Sequence, residues 1–231
     1  MGARRAILLL AILLAACTPQ VPRPESPAGL QPADFPEAYY REAAAQGRAV
    51  LRIDPAGSLV VIEVRRAGSL ARYGHDHVVA SHDVQGYVAP DAGRSDLYIP
   101  LERLVVDEPA LRAESGFDTQ PSESDIAGTR NNMLDGVLDA REYPFAVIRV
   151  TGAAEASGTA NLRVAIVLRG VEKEMQVPAK IESGPGEIVA SGRFALNQTD
   201  FGLVPFSILG GAIQVQDRLE LRFHIRALHA R

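Results

Sequence analysis

The strongest constraint on this sequence is an alternation of apolar and polar side chains with a period of two. Such alternation is typical of β-strands that bury one face and expose the other. In the first run, Val60, Ile62 and Val64 share one face, and we expect the opposite face, which begins at Val61, to be solvated. The same pattern recurs in four later runs, at 97–101, 162–168, 175–181 and 219–225. The sequence therefore predicts an all-β domain.

Short segments that contain Gly or Pro separate these runs, at 54–57, 90–93, 169–170 and 183–186. Such segments reverse the chain within a few residues, whereas parallel strands need a long crossover connection, usually a helix. The pattern therefore predicts about eight antiparallel strands. We expect them to close into a barrel, because closure removes the exposed sheet edges. A barrel of this size is either filled by its own side chains or holds one small ligand.

One interior stretch, 122–140, has helical periodicity instead. Ser122 and Asp125 predict its start, because they supply a capping hydroxyl and an acidic charge in the first turn. An apolar stripe at helical spacing follows, made of Met133, Leu134, Val137 and Leu138. We expect this stripe to pack one interior helix against the sheet.

The first 16 residues resemble a bacterial lipoprotein signal peptide. Arg4 and Arg5 precede an apolar run at 6–14, which is much shorter than the about 20 residues needed to span a bilayer. The run ends at Leu14-Ala15-Ala16-Cys17, which is similar to a lipobox. This resemblance implies cleavage before Cys17, a diacylglycerol group on its thiol and a fatty acid such as palmitate on its new amino group. Because two or more acyl chains anchor a protein stably, we expect a lipid-anchored envelope protein.

Residues 17–47 are expected to connect this anchor to the domain, which we assign to 48–231. Prolines recur between 19 and 36 with little apolar periodicity, a composition that stays extended. A short helix is predicted before Gly47. Thr18, rather than Asp, follows the lipidated cysteine, which resembles an outer-membrane sorting signal and implies the periplasmic face of that membrane. Because Cys17 is the single cysteine, no intramolecular disulfide can form.

The composition and the motifs argue against two classes of function. A net charge of −4 gives no basic surface of the kind that nucleic-acid binding requires. The sequence has no Gly-X-Ser-X-Gly motif and no Ser or Cys nucleophile in a recognisable context. The tripeptide Asp200-Phe201-Gly202 is not a kinase signature, since neither a Gly-rich loop nor a His-Arg-Asp block precedes it. We therefore predict a binding protein rather than an enzyme.

Three of the five histidines, His75, His77 and His82, lie within eight residues. His75 and His77 are two positions apart, so in a strand their imidazoles would share a face, which is the geometry of a paired metal or haem ligand. His82 would need a bend to join them. The same residues also fit a simpler arrangement, in which the imidazoles hydrogen-bond carboxylates or backbone groups at the rim of a barrel. The simpler arrangement is favoured, because a His-X-His pair alone is a weak signal.

Five blocks of sequence resemble the YceI-like family and follow the order of that family. They are Ile53-Asp54-Pro55 with Ser58, Val60, Ile62 and Val64; Tyr98-Ile99-Pro100-Leu101 with Leu104; Arg130 to Asp139 with Tyr143-Pro144; Leu168 to Lys173; and Leu196 to Gly202. Each block is weak alone, and their order and coverage give the resemblance its weight. The stretch from Tyr73 to Asp83, which contains the histidines, departs from the family pattern.

The resemblance implies a lipocalin-like barrel that binds a polyisoprenoid or a related long-chain lipid. Eleven inward positions would then line an apolar cavity: Val60, Ile62, Val64, Leu97, Ile99, Ile166, Leu168, Phe194, Leu196, Leu221 and Phe223. The residues alone fit a filled core equally well, and only the resemblance favours a cavity. Two alternatives to a lipid carrier therefore stay open: a metal- or haem-binding protein that uses the histidines, and a lipoprotein with a solid barrel that binds a partner at its surface.

Overall fold

The computed structural model describes residues 31–152 and 157–229. The expected signal peptide, Cys17 and most of the spacer lie outside the described residues, so these assignments stay predictions. The described strands are β1 (Leu51–Ile53), β2 (Leu59–Val64), β3 (Arg66–Ala67), β4 (His77–Ser81), β5 (Gln85–Ala89), β6 (Arg94–Pro100), β7 (Val105–Val106), β8 (Phe145–Thr151), β9 (Gly158–Leu168), β10 (Val171–Gly184), β11 (Glu187–Asn197), β12 (Ser207–Ile208), β13 (Ile213–Val215) and β14 (Arg218–His229).

The strands form a closed antiparallel barrel, as predicted. Each barrel strand pairs with the next one along the chain, and β14 pairs back with β1 and β2 to close the ring. Three of the eight barrel strands are interrupted, since β1 continues into β2, β4 into β5, and β6 into β7. The five others are β8, β9, β10, β11 and β14. Strands β12, β13 and β3 form a separate three-stranded sheet.

In the described ranges, three α-helices accompany the barrel: α1 (Glu37–Ala45), α2 (Pro109–Glu114) and α3 (Glu123–Asn131). Helix α3 begins as predicted, because Ser122 and Asp125 form a reciprocal capping box. A π-helical turn at Asn132–Val137 continues it and brings Leu134 and Leu138 into the core. None of the helices in the described part of the chain is long and apolar enough to cross a membrane.

The expectation of a single interior helix was wrong, because α2 lies between β7 and β8. Helix α2 covers the outer face of β2 and β4, where Leu111 packs with Val61 and Val78. Val61 is therefore fully buried, and the expectation that its face is solvated was wrong at this position. A six-residue helix is too short to show a clear 3.6-residue periodicity, so the sequence did not reveal it.

The assignment of the domain to 48–231 also needs correction, because α1 belongs to the barrel. The compact unit begins at Gln31. Tyr40 of α1 is only 1% exposed, and its hydroxyl donates to the Asp96 carboxylate on β6 over 2.6 Å. Burial and this hydrogen bond raise the pKa of Tyr40. A buried aromatic ring with a satisfied hydroxyl fixes the helix to the outer wall.

Gly86 on β5 allows β5 and β6 to approach closely. Its φ is +137°, and a Cβ atom there would lie 2.2 Å from the Asp96 carbonyl oxygen. We expect Gly86→Ala to lower the free energy of unfolding by at least about 2 kcal/mol, because the new methyl group must displace backbone and the residue is strained. Urea unfolding followed by far-UV circular dichroism measures this change.

Gly128→Ala in α3 is the matched control. A Cβ atom at Gly128 would have no neighbour within 4 Å, and the residue lies inside a helix. Alanine there should leave stability unchanged or raise it by up to about 1 kcal/mol. Equal effects of the two substitutions would contradict the close approach at Gly86.

Candidate functional site

A cavity of about 430 Å³ lies inside the barrel. This volume is within the range of about 300–1,000 Å³ for small-molecule sites. All eleven side chains that the sequence placed inward lie on its wall: Val60, Ile62, Val64, Leu97, Ile99, Ile166, Leu168, Phe194, Leu196, Leu221 and Phe223. The barrel is therefore hollow, and the alternation of the strands placed these residues on its inner face.

Further apolar side chains complete the wall. Met133, Val137 and Leu138 come from the segment that follows α3, and Ala190 comes from β11. Many wall residues are only partly buried, as Phe223 is, because they face empty volume instead of neighbouring side chains. The sequence did not single out the residues after α3 as wall residues, because their helical stripe fits packing against a filled sheet equally well.

The unfilled volume is large on an energetic scale. At about 24 cal/mol per Å³, as measured for cavities in protein cores, it corresponds to roughly 10 kcal/mol of packing energy. A whole domain of this kind is stable by about 5–15 kcal/mol. A barrel that needed only stability would fill this space, so the cavity indicates a ligand-binding role.

Six polar side chains lie on the wall: His77, Ser95, Thr129, Asn132, Ser183 and Gln198. Three of them, His77, Thr129 and Asn132, lie together at one end, on β4 and the helical segment. At this end Asn132 is exposed and Phe206 is 36% exposed, although both line the cavity. We call this end the mouth. In the described ranges, no carboxylate, ammonium or guanidinium group lines the cavity.

His77 is held by a buried carboxylate. Its Nδ1 lies 2.6 Å from Asp107 Oδ2, and the Val78 amide donates to Asp107 Oδ1 over 3.0 Å. Arg112 Nη1 donates to the same Oδ1 over 2.5 Å. The Asp107 side chain is fully buried, so the guanidinium and the imidazole together satisfy a charge that would otherwise be costly to bury.

The surroundings of Asp107 explain its ionisation. Burial acts to raise the pKa of this carboxyl group, but the hydrogen bonds from His77 and the Val78 amide, together with the Arg112 guanidinium, outweigh it and lower the pKa. Asp107 is therefore ionised at neutral pH. Its backbone has φ of +59°, a conformation that Asp and Asn tolerate better than most residues.

The structure does not join the three histidines that the sequence grouped as a candidate metal site, although the ring centroids of His75 and His77 lie 6.1 Å apart. His75 lies before β4, so it does not share a strand face with His77. His75 Nε2 is 3.9 Å from Asp125, and His82 Nε2 is 2.8 Å from Glu108 at an exposed position. Across residues 31–152 and 157–229, no three His, Cys, Asp or Glu side chains come together to hold a metal. Three separate histidine and carboxylate contacts replace the metal site.

Sequence reasoning missed Asp107, Arg112 and Thr129. Asp107 is 30 positions from His77, in a segment without alternation, and Arg112 lies on the helix that the sequence did not reveal. The one available signal was the departure from the family pattern at residues 73–83. That signal marked His77 and gave no information about its partner.

We expect Asp107→Asn to lower the free energy of unfolding by about 3–5 kcal/mol, because Arg112 would keep a buried charge without its partner. Asparagine also tolerates the positive φ at this position, so backbone strain does not contribute to the change in the free energy of unfolding. In the wild type, the lowered pKa of Asp107 adds stability above about pH 4, the ordinary value of the carboxyl group, and this stability is lost as pH falls further towards the lower folded value. Urea unfolding between pH 7 and pH 2 measures both effects.

Glu108→Gln is the matched control, since this neighbouring carboxylate pairs with the half-exposed His82. An exposed pair contributes less than about 1 kcal/mol. A similarly small loss for Asp107→Asn would show that the buried cluster does not hold the mouth in place.

Solved structures with the same fold support this description. A polyisoprenoid binding domain from Saccharophagus degradans is 13% identical with a TM-score of 0.57, and the match covers 79% of this chain and 99% of that one. The BcnA protein of Burkholderia cenocepacia is 15% identical with a TM-score of 0.52, and the match covers 75% and 98%. At this identity the likeness shows the fold.

The sequence comparisons give two results. No curated protein matches the sequence significantly. A family model described as the YceI-like domain matches residues 51–227. This match covers most of the chain, so the protein belongs to the YceI-like family.

Proposed function

We propose that this protein binds a long-chain apolar lipid of the polyisoprenoid type and carries or buffers it without a chemical step. The observation that carries the proposal is the cavity of about 430 Å³ with an almost wholly apolar wall. The name of the Saccharophagus degradans structure, a polyisoprenoid binding domain, supports the same class of ligand.

The energetics favour a flexible hydrocarbon chain. Each buried methylene contributes about 0.8 kcal/mol, so ten carbon atoms are enough for binding without any charged contact. Leu, Ile, Val and Phe side chains of the wall offer no directional partner, so chain length and shape would decide affinity. A polyisoprenoid tail fits this requirement, because its repeating units are apolar throughout.

Catalysis is the competing function, because Thr129, His77 and Asp107 are arranged in the order of a hydrolase triad. Two features favour binding. Thr129 Oγ1 lies 3.4 Å from His77 Nε2, beyond the about 2.6–3.2 Å of a nucleophile and its base. Arg112 also neutralises Asp107, so the carboxylate gives less support to an imidazolium ion than an unpaired one would. Turnover of a long-chain ester that Thr129→Val abolishes would favour the enzyme.

We place the protein at the cell envelope, with Cys17 lipidated and the barrel on the periplasmic face of the outer membrane. The lipobox at residues 14–17 and the proline-rich segment after it support this placement. A lipid anchor would keep the barrel beside a membrane, which is the source of an apolar ligand.

Filling the cavity should prevent binding. Ala190 lies on the inner wall, so Ala190→Phe should weaken binding of farnesol, a short isoprenoid alcohol, by at least about tenfold. Stability should stay the same or rise, because the ring fills empty volume. Isothermal titration calorimetry and urea unfolding measure these two quantities.

Ala195→Phe is the control, since Ala195 lies on the same strand at a position of opposite parity and faces outward. This variant should bind farnesol as the wild type does. If both variants bind equally well, the ligand does not occupy the barrel.

Cys17→Ser should release the protein from the membrane fraction, because the thiol is the expected site of lipid attachment. Fractionation of cells that express the full chain measures this change. Thr18→Asp is the companion variant, and it should keep the protein membrane-bound but move it to the inner membrane. A wild-type protein that is soluble in the same fractionation would contradict the anchor.

A further inference from the structure

We infer that His77, together with Thr129 and Asn132, forms a head-group site at the mouth that accepts a hydrogen bond from a lipid alcohol. The inference rests on the proposed function and adds the chemistry of the ligand's polar end. The ligand would be an apolar chain that ends in a hydroxyl group. Its tail would fill the barrel, and its hydroxyl would donate to His77 Nε2.

The contact with Asp107 fixes the position of the hydrogen on the His77 imidazole. Asp107 is ionised and can only accept, so the 2.6 Å contact to its Oδ2 requires the hydrogen to be on Nδ1. Arg112 contacts the other carboxylate oxygen and supplies a counter-charge. In a neutral imidazole with the hydrogen on Nδ1, the lone pair is on Nε2.

The lone pair on Nε2 points towards the cavity. His77 pairs with Val64 across the sheet, and both residues line the cavity. The Nδ1 edge of the ring faces the fully buried Asp107, so the Nε2 edge faces Thr129 and the cavity. Thr129 Oγ1 is 3.4 Å away, which leaves Nε2 with at most a weak partner. A buried acceptor without a good partner is unfavourable, and a donor on the ligand would satisfy it.

His77 lies at the boundary between the cavity and solvent. His77 is only 9% exposed, whereas Asn132 beside it is exposed. The polar group therefore lies where the apolar wall meets solvent, which is the place for the polar end of a long ligand. Asn132 is one turn after Thr129, so its amide faces the same mouth.

The surrounding charges select among head groups. The carboxylate of Asp107 lies behind the imidazole, and within the described ranges no cation lines the cavity. A phosphate or diphosphate would lose its hydration without gaining a counter-charge. A methyl ether has no hydrogen to donate. A hydroxyl group is the head group that satisfies Nε2 at no electrostatic cost.

The test compares three ligands with the same tail: farnesol, farnesyl methyl ether and farnesyl phosphate. We expect the full-length wild-type chain to bind farnesol about 3- to 10-fold more tightly than the ether, which is the size of one net hydrogen bond, and to bind the phosphate most weakly. His77→Leu should bind farnesol and the ether equally. His224→Leu, the same change on the outer face of β14, should keep the wild-type preference.

A second measurement needs no variant. Nitrogen NMR of the wild-type imidazoles should show His77 protonated at Nδ1 only, and farnesol should shift the Nε2 resonance whereas the ether should not. This measurement decides the matter if His77→Leu fails to fold.

The outcomes separate this inference from the function on which it rests. Equal binding of farnesol and the ether by the wild type would overturn the head-group site and leave lipid binding intact. Preference for the phosphate would overturn it as well, because that result requires a cationic His77. Failure of all three ligands to bind would overturn the proposed function itself.

Discussion

The pairing of β14 along both of its edges is the constraint on which the rest of the structure depends. One edge pairs with β11 over eleven residues, and the other pairs with β1 and β2. These contacts close the sheet, so the backbone donors and acceptors of the barrel strands find partners in the ring. Closure also divides every strand into an inner and an outer face. The cavity and its covering helices follow from that division.

The two faces are used differently. The inner face is mostly apolar and unfilled, and three of its polar side chains, His77, Thr129 and Asn132, lie at the mouth. Helices cover part of the outer face, with α1 over β5 and β6 and α2 over β2 and β4. Arg112 of α2 connects this cover to the mouth, since it binds Asp107, and Asp107 in turn holds His77. The outer helix thus fixes the geometry of an inner side chain.

The sequence predicted the barrel because period-two alternation and short turns are local signals, and closure follows from avoiding sheet edges. The eleven residues that it placed inward lie on the cavity wall, because side-chain direction in a strand depends only on parity. The sequence did not predict the size of the cavity. Alternation states which side a residue faces, but the radius of the barrel and the position of the segment after α3 decide whether the interior is filled.

The sequence was least informative about the mouth. The partner of His77 is Asp107, a loop residue with positive φ. Arg112 lies on a short helix whose periodicity is not visible in the sequence. His77 and Asp107 are 30 positions apart along the chain, so spacing does not predict their contact. His75 and His77, which looked like paired ligands, have separate partners, because the strand starts after His75.

The central claim is that the barrel holds one long-chain apolar lipid. Native mass spectrometry of the full chain carrying Cys17→Ser, purified from bacterial cells and then extracted with organic solvent, tests it most directly, because covalently attached lipid cannot be mistaken for bound lipid in this variant. The account predicts one non-covalently bound apolar lipid per chain, which Ala190→Phe excludes. A protein that is purified empty and fails to take up added farnesol would contradict it.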